Sequence, residues 1–282
     1  MTITGAARLA GVMGWPVSHS RSPVLHNFWL REYGIDGVYM PLAVAPEAFE
    51  QALGALALLG FAGVNVTVPH KEAAFAAVDE TDRLAERIGA VNTIVFDNDG
   101  RACGTNTDAF GFVEGLRNRV PGWSGAAGPA VVLGAGGAAR AIVAALQDDG
   151  APEIRIVNRT AARGERLAEE FGSPLTSVAW RERASALDGA ALVVNTTTLG
   201  MAGNLPLDLA LEHLPRDAVV NDIVYTPLMT PLLTAAAGRG NPVVDGMEML
   251  LHQARPGFRH WFGVDPKVTD DLRTHVLEGI PK

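Results

Sequence analysis

Lys71 closes the segment Asn65-Val66-Thr67-Val68-Pro69-His70-Lys71, a setting that suits proton transfer. A β-branched run (Val64, Val66, Val68) stops at a proline, and a lysine follows two positions later. Ligands of open α/β sheets bind where strands end. Pro69 suits the start of the next helix, so Thr67, His70 and Lys71 are expected to cluster at that mouth. An ammonium held there can donate to a substrate hydroxyl or carbonyl. A solvated lysine in a first helical turn is the plainer alternative, because lysines are mostly surface residues. Other polar segments at predicted element ends decide between the two.

Asp108 follows Gly104-Thr105-Asn106-Thr107 and precedes a helix expected over Ala109–Arg119. It is either that helix's N-cap or a carboxylate paired with Lys71, accepting from a substrate hydroxyl and holding the ammonium. In Gly14-Trp15-Pro16-Val17-Ser18-His19-Ser20-Arg21-Ser22-Pro23, Ser22 is a natural N-cap and Pro23 a natural first helical residue. Ser18 and Ser20 then stand at a helix N-terminus, where two hydroxyls and the helix dipole suit a carboxylate. Asn92, in Gly89-Ala90-Val91-Asn92-Thr93, offers both donor and acceptor, as hydroxyl recognition needs, or is simply a turn residue. Gln253 lies two turns into a late helix opened by Gly246, where it can reach a substrate hydroxyl or face solvent.

A second constellation starts at Gly134-Ala135-Gly136-Gly137-Ala138-Ala139-Arg140, after the run Ala130-Val131-Val132-Leu133. This is G-x-G-x-x-A between a strand and a helix, with another strand, Ile154–Val157, at the expected distance. Gly134 permits the tight turn, Gly136 admits a pyrophosphate to the backbone N–H groups, and Ala139 allows close helix–strand packing. The next strand ends in Asn158-Arg159-Thr160, with Arg163 one helical turn on. An NAD site expects an acidic residue there for the ribose 2′-hydroxyl, and none is present. Arg159 and Arg163 can instead clamp a 2′-phosphate, with Thr160 capping the helix and donating to the anion, so NADP(H) is predicted over NAD(H). Asn195-Thr196-Thr197-Thr198-Leu199-Gly200-Met201 either walls the nicotinamide-side ribose or is a threonine-rich loop.

These segments need strand ends to hold them. Candidate strands are Arg8–Met13, Gly37–Leu42, Phe61–Val66, Val91–Phe96, Pro129–Leu133, Ile154–Val157, Ala191–Val194, Ala218–Asn221 and Pro242–Val244. Amphipathic segments such as Pro46–Leu59, Ala138–Asp148 and Thr160–Glu170 alternate with them, which argues for α/β architecture with mostly parallel sheets. Asp97-Asn98-Asp99-Gly100 marks a hairpin turn between Val91–Phe96 and Arg101–Gly104, expected at the edge of the first domain. A Gly- and Pro-rich stretch over residues 121–129 reads as a loop at a domain junction. Two domains flanking a cleft are expected. Residues 1–108 with 246–282 form the substrate domain, and 109–245 form a Rossmann-type cofactor domain.

Composition fits this picture. The chain has 282 residues, 48% hydrophobic and 19% charged, which supports packed cores and argues against disorder. Its net charge of −8 leaves no electrostatic footprint for nucleic acid or an anionic membrane. Cys103 is the one cysteine and is read as packing within a short strand. A chain without an internal disulfide suits a reducing compartment. Residues 1–8 lack the pattern of a signal peptide, and no apolar run is long enough to span a bilayer. A cytoplasmic protein is expected. No metal is expected, because neither HExxH nor CxxC spacing occurs.

Taken together, the segments resemble the shikimate dehydrogenase family over nearly the whole chain. The resemblance rests on Ser18-x-Ser20-x-Ser22-Pro23-x-x-His26-Asn27, Asn65 to Lys71, Gly89 to Thr93, Asn106-Thr107-Asp108-x-x-Gly111-Phe112, Gly134-x-Gly136-Gly137, Asn158-Arg159-Thr160 and the Gly246 to Gln253 helix. It implies that Ser18 and Ser20 bind a substrate carboxylate with help from Tyr225. It implies that Thr67, Asn92, Asp108 and Gln253 hold ring hydroxyls, that Lys71 is the acid/base beside Asp108, and that the nicotinamide lies near Ile223 and Gly246. The activity implied is reversible NADPH-dependent reduction of 3-dehydroshikimate to shikimate, on the route to aromatic amino acids. A quinate/shikimate dehydrogenase using NAD is the near alternative. A non-catalytic regulator binding shikimate-like ligands and NADP is the distant one, against which the Lys71 and Asp108 pair argues. Oligomeric state is not written in the sequence; a homodimer is one expectation.

Overall fold

The computed structural model describes residues 3–278 and Ile280. The chain packs as two units, one ending at Thr107 and resumed over Leu251–Glu278, the other formed by Asp108–Leu250. In the first, the elements run β1 (Arg8–Gly14), α1 (Ser22–Glu32), β2 (Gly37–Ala43), α2 (Phe49–Leu58), β3 (Phe61–Val66), α3 (Lys71–Ala77), β4 (Glu80–Thr81), α4 (Arg83–Ile88), β5 (Thr93–Phe96) and β6 (Ala102–Thr105). The second holds α5 (Asp108–Arg119), β7 (Ala130–Leu133), α6 (Gly137–Asp148), β8 (Ile154–Asn158), α7 (Ala161–Phe171), β9 (Leu175–Ala179), β10 (Leu192–Asn195), β11 (Val219–Asp222), α8 (Pro231–Arg239) and β12 (Val243–Val244). Helix α9 (Gly246–Phe262) starts in the second unit and carries the chain back to the first, which α10 (Asp270–Leu277) completes.

The first sheet has the order β2-β1-β3-β5-β6-β4. Strands β1, β2 and β3 are parallel, whereas β5 runs antiparallel to β3 and β6. Gly100 at φ +79° closes the β5–β6 turn, and its N–H donates to the Asp97 carbonyl. The sequence places this hairpin at the sheet edge, but β4 pairs outside β6 and takes the edge instead. Strands β4 and β9 escaped the sequence reading for one reason. Both are edge strands with few buried residues, so neither shows an apolar run or alternation.

The second sheet is parallel throughout, in the order β12-β11-β10-β7-β8-β9. Its central strands are continuous buried runs, as a sheet covered on both faces requires. Each unit has its own core. The first is built on residues such as Met13, Phe49, Val64 and Ile94, the second on residues such as Val131, Val157, Val193 and Leu233.

His26 has no exposed surface and lies among aromatic side chains of the first unit, stacked on Tyr39 at 4.0 Å between ring centroids and edge-on to Trp29. Neither ring nitrogen makes a hydrogen bond of normal geometry. Burial holds its pKa down at about 3, against a weaker opposing pull from Asn65. His252 is lowered to about 4, by burial and then by Arg255. An unfolded histidine titrates near 6.5, so between there and pH 3 the unfolded chain binds the His26 proton and the folded chain does not. Stability from this group is therefore present above pH 6.5 and falls as pH drops, by up to about 1.4 kcal/mol per pH unit. Asp222, raised to about 6 by burial, acts in the opposite sense, so the diagnostic is a difference between proteins. Urea unfolding between pH 7 and pH 4.5 should show a shallower loss of stability for His26→Phe than for the native chain. Parallel profiles would refute the assignment.

Candidate active site

In the first unit the sheet order reverses at β1, where β2 lies on one side and β3 on the other. Crevices at such switch points, outside the carboxyl ends of the strands, are where α/β sheets bind ligands. The ends of β1 and β3 are tied directly: the Thr67 N–H donates to the Met13 carbonyl at 2.9 Å, and the Trp15 N–H to the Val68 carbonyl at 3.1 Å. A Cβ on Gly14 would lie 2.5 Å from the Thr67 methyl, so any side chain there would have to displace Thr67. The Ser18–Ser20 loop thus leaves the sheet beside Thr67. Ser18 is exposed and Ser20 half-buried.

Three local details differ from the sequence expectation. Ser22 is the first residue of α1 rather than its N-cap. The N-cap position falls to Arg21, which makes no side-chain cap, and Ser20 Oγ accepts from the Ser22 N–H at 3.3 Å. That bond uses an oxygen lone pair and leaves the Ser20 O–H as a donor, the role a carboxylate needs. Pro69 does not start a helix. The Val68–Pro69 peptide is cis, and α3 begins at Lys71. His70 leaves the mouth altogether: it is buried, stacks on Phe49 and bonds the Val44 carbonyl at 2.8 Å.

Lys71 is half-buried in the first turn of α3. Its carbonyl accepts from the Val91 N–H at 3.0 Å, which sets it next to Asn92. The Asn92 carbonyl accepts from the Val66 N–H at 2.8 Å, and its side-chain Oδ1 accepts from the Thr107 N–H at 2.8 Å and from Thr93 Oγ1 at 3.0 Å. Oδ1 is thus committed to donors within the protein. Asn65, not anticipated as a site residue, supports this arrangement from behind. Its Oδ1 accepts from the Tyr39 hydroxyl at 2.6 Å, and its Nδ2 donates to the Asn92 carbonyl and to Thr93 Oγ1. Gln253 Oε1 lies 3.5 Å from Thr107 Oγ1 and is mostly buried, not a surface glutamine. Asp108 follows Thr107 directly and is the buried first residue of α5. His26 and Asn27 serve the fold: Asn27 pins α1 to β2 through both the carbonyl and the N–H of Tyr39.

In the second unit, the order reverses between β7 and β10. Gly134, with φ +107°, turns out of β7, and a Cβ there would meet Thr196 Oγ1 at 2.5 Å. Gly136 is the N-cap of α6, and no side chain caps that helix. A Cβ on Gly136 or Gly137 would meet nothing within 4 Å, so the backbone at the start of α6 is uncrowded there, which suits the approach of a pyrophosphate. Ala139 is fully buried against the sheet. Asn158 ends β8, its side chain donating to the Thr160 carbonyl at 2.8 Å. Arg159, Thr160 and Arg163 are exposed beside it, and among the described residues neither arginine forms an ion pair. Thr160 occupies the N-cap of α7, but its hydroxyl does not cap the helix.

The threonine loop is held by its own hydroxyls. Thr196 Oγ1 donates to the Leu133 carbonyl at 2.7 Å, and Thr197 Oγ1 to Asn195 Oδ1 at 2.7 Å. Gly246 opens α9 against the Ile223 carbonyl, 2.3 Å from where a Cβ would stand, so glycine is needed there for backbone approach. Ile223 and Tyr225 are half-buried. Glu248, 1% exposed, turns onto α5, accepting from Asn118 Nδ2 at 2.9 Å with Arg119 Nε at 3.8 Å.

Two open clefts lie elsewhere in the first unit. One, of about 380 Å³, runs between α2 and the β5–β6 hairpin; the other, of about 420 Å³, is lined by Cys103, Glu80, Asp82 and His260. Neither includes a residue named above for substrate or cofactor. Burial, and then the Glu80 and Asp97 carboxylates, push the Cys103 thiol up, away from a reactive thiolate.

Residues 12–94 match the model of the shikimate dehydrogenase substrate binding domain, and residues 122–200 that of shikimate / quinate 5-dehydrogenase. Over 98% of its length the chain is 62% identical to the shikimate dehydrogenase (NADP(+)) of Paramagnetospirillum magneticum, all of which it covers. The chain belongs to the shikimate dehydrogenase family. Solved structures of family members are similar throughout. Shikimate 5-dehydrogenase from Thermus thermophilus, in complex with NADP(H) and shikimate, aligns with a TM-score of 0.86 at 39% identity, covering 96% of this chain and 99% of that one. Quinate dehydrogenase from Corynebacterium glutamicum, in complex with NAD, aligns at 0.89 and 31%, with the same coverage. Among the described residues no helix is long and apolar enough to cross a membrane.

Proposed function

We propose that this family member is an NADP-dependent shikimate dehydrogenase, an oxidoreductase that reversibly reduces the ring ketone of 3-dehydroshikimate to shikimate for aromatic amino acid biosynthesis. Full-length identity of 62% to a relative of that name carries the reading. Bound NADPH supplies the hydride. The residue roles are the finer part of the proposal. Reduction places negative charge on the carbonyl oxygen. Lys71 stabilises that charge and donates the proton, while Asp108 accepts from the neighbouring hydroxyl and orients the ammonium. Support comes from the chain of bonds that links the Lys71 carbonyl through Val91 and Asn92 to Thr107, the residue before Asp108. Ser18, Ser20 and Tyr225 donate to the substrate carboxylate, and Thr67, Asn92 and Gln253 hold ring hydroxyls. Gly134, Ala135, Gly136, Gly137 and Ala138 seat the pyrophosphate at the start of α6, and the open space over Gly136 and Gly137 fits that group. Asn158, Arg159, Thr160 and Arg163 hold the 2′-phosphate, and Ile223 and Gly246 adjoin the nicotinamide.

The proposal includes a substrate domain of residues 1–108 with 246–282 and a cofactor domain of 109–245. It also includes a cytoplasmic location, in keeping with one cysteine in 282 residues, and a homodimer, which sedimentation of the purified protein would measure. The similarity to a quinate dehydrogenase bound to NAD supplies the second reading, a broader enzyme using NAD. Initial rates with shikimate and quinate, each with NADP⁺ and NAD⁺, separate the two. Fast NADP⁺ reduction with shikimate alone is expected. Equal rates with NAD⁺ would refute the 2′-phosphate assignment, and turnover of quinate would favour the broader enzyme.

A further inference from the structure

We propose that Asp222 is a positioning residue that locks the Thr196–Leu199 and Ile223–Tyr225 loops to each other and so places the nicotinamide half of the cofactor. The inference rests on the cofactor assignment above. Asp222 ends β11 and has no exposed surface. Its Oδ1 accepts from Asn195 Nδ2 and from the Val224 N–H, each at 3.0 Å. Its Oδ2 accepts from Thr230 Oγ1 at 2.8 Å, and that hydroxyl in turn caps α8 by accepting from the Leu233 N–H at 3.3 Å.

Asn195, at the end of β10, passes the constraint on. Its Oδ1 accepts from the Thr197 N–H at 3.0 Å and from Thr197 Oγ1, and its Nδ2 also donates to the Leu199 carbonyl at 3.1 Å. One carboxylate therefore joins two strand-end loops and a helix cap. A fully satisfied buried polar network of this kind holds a single geometry, whereas apolar contacts at the same place would permit sliding. Burying a carboxylate has a cost, visible here as a pKa pushed up to about 6 by desolvation. The loops it holds are the ones on which the hydride donor's alignment depends, and small misplacements there are expensive in rate.

The test compares native protein, Asp222→Ala and Asp222→Asn. It measures kcat with shikimate and dissociation constants for NADP⁺ and for adenosine 2′,5′-bisphosphate, which carries the 2′-phosphate but no nicotinamide. Asp222→Ala is expected to lower kcat by roughly 10²-fold and to weaken NADP⁺ by about tenfold, leaving the bisphosphate unchanged. Asp222→Asn should recover most of both losses, because its amide oxygen still accepts from Asn195 and Val224 while its NH₂ turns to the Thr230 hydroxyl. If Asp222→Ala does not fold, Asn195→Ala breaks the same link from the other loop and should show the same split. Equal losses for NADP⁺ and the bisphosphate, no loss for either, or no recovery with asparagine would each overturn the proposal. Undiminished bisphosphate binding by an Arg159→Ala/Arg163→Ala protein would overturn it at its base, by removing the cofactor assignment rather than the role of Asp222.

Discussion

Lys71→Ala is expected to lower kcat by roughly 10²–10⁴-fold while KM for shikimate changes far less. The size follows from the two tasks assigned to one ammonium. On the proposed roles, it makes an ordinary hydrogen bond to the substrate in the ground state; in the transition state it faces an alkoxide-like oxygen, accepting the hydroxyl proton as shikimate is oxidised and returning it in the reverse reduction. Removing a group that acts mainly in the transition state lowers kcat and kcat/KM together. Asp108→Asn should reduce kcat in the same direction, because the amide cannot hold an ammonium by charge. Steady-state kinetics with saturating NADP⁺ would decide the matter. A large rise in KM with kcat intact would make Lys71 a binding residue only. The position of Lys71 favours the stronger outcome. Its carbonyl is pinned to Val91, so the side chain starts from a fixed point beside Asn92.

Replacing Arg159 and Arg163 together by alanine is expected to raise KM for NADP⁺ by roughly 10²-fold while leaving the slower NAD⁺ reaction almost unchanged. A hydrogen bond to a charged partner contributes about 1.5–3 kcal/mol when it is well made, and each 1.4 kcal/mol is tenfold in affinity. Both side chains are exposed, which places the effect toward the lower end of that range for each. Solvent screening adds a second signature. The preference for NADP⁺ should shrink as salt is raised in the native enzyme, and the double variant should show little salt dependence. An unchanged KM for NADP⁺ would mean that the 2′-phosphate is held elsewhere. The absence of an acidic side chain at the end of β8 would then need another explanation.

Much of this architecture was legible in the chain because its signals are local. Phe61–Val66 was read with its observed bounds, since a β-branched apolar run ends at Thr67 and Pro69. The β7–α6 turn was legible because Gly134 and Gly136 answer steric demands within a few residues of themselves. Asp222 was passed over for the complementary reason. It sits one residue beyond the candidate strand Ala218–Asn221, and nothing near it in sequence shows that its oxygens meet Asn195, 27 residues away. His70 and Lys71 are neighbours with similar surroundings in sequence, yet one is turned onto Phe49 in the core and the other is left half-buried. Ser22 misses the N-cap by one position, because α1 starts at Ser22 itself and Arg21 precedes it.

The sequence by itself determined which residue types stand at strand ends, where the glycine-rich turn falls, and that no acidic side chain follows β8. These depend on hydrophobic periodicity and on the backbone limits of glycine and proline, which act over a few residues. Tertiary structure alone decided which atom of each polar side chain is used internally. The order β1-β3-β5 brings Asn65, Asn92 and Thr93 together, and the Thr107 N–H then takes Asn92 Oδ1. Hydrogen-bond donors and acceptors pair with whatever long-range packing delivers to them, and a chain read in order carries no record of that delivery.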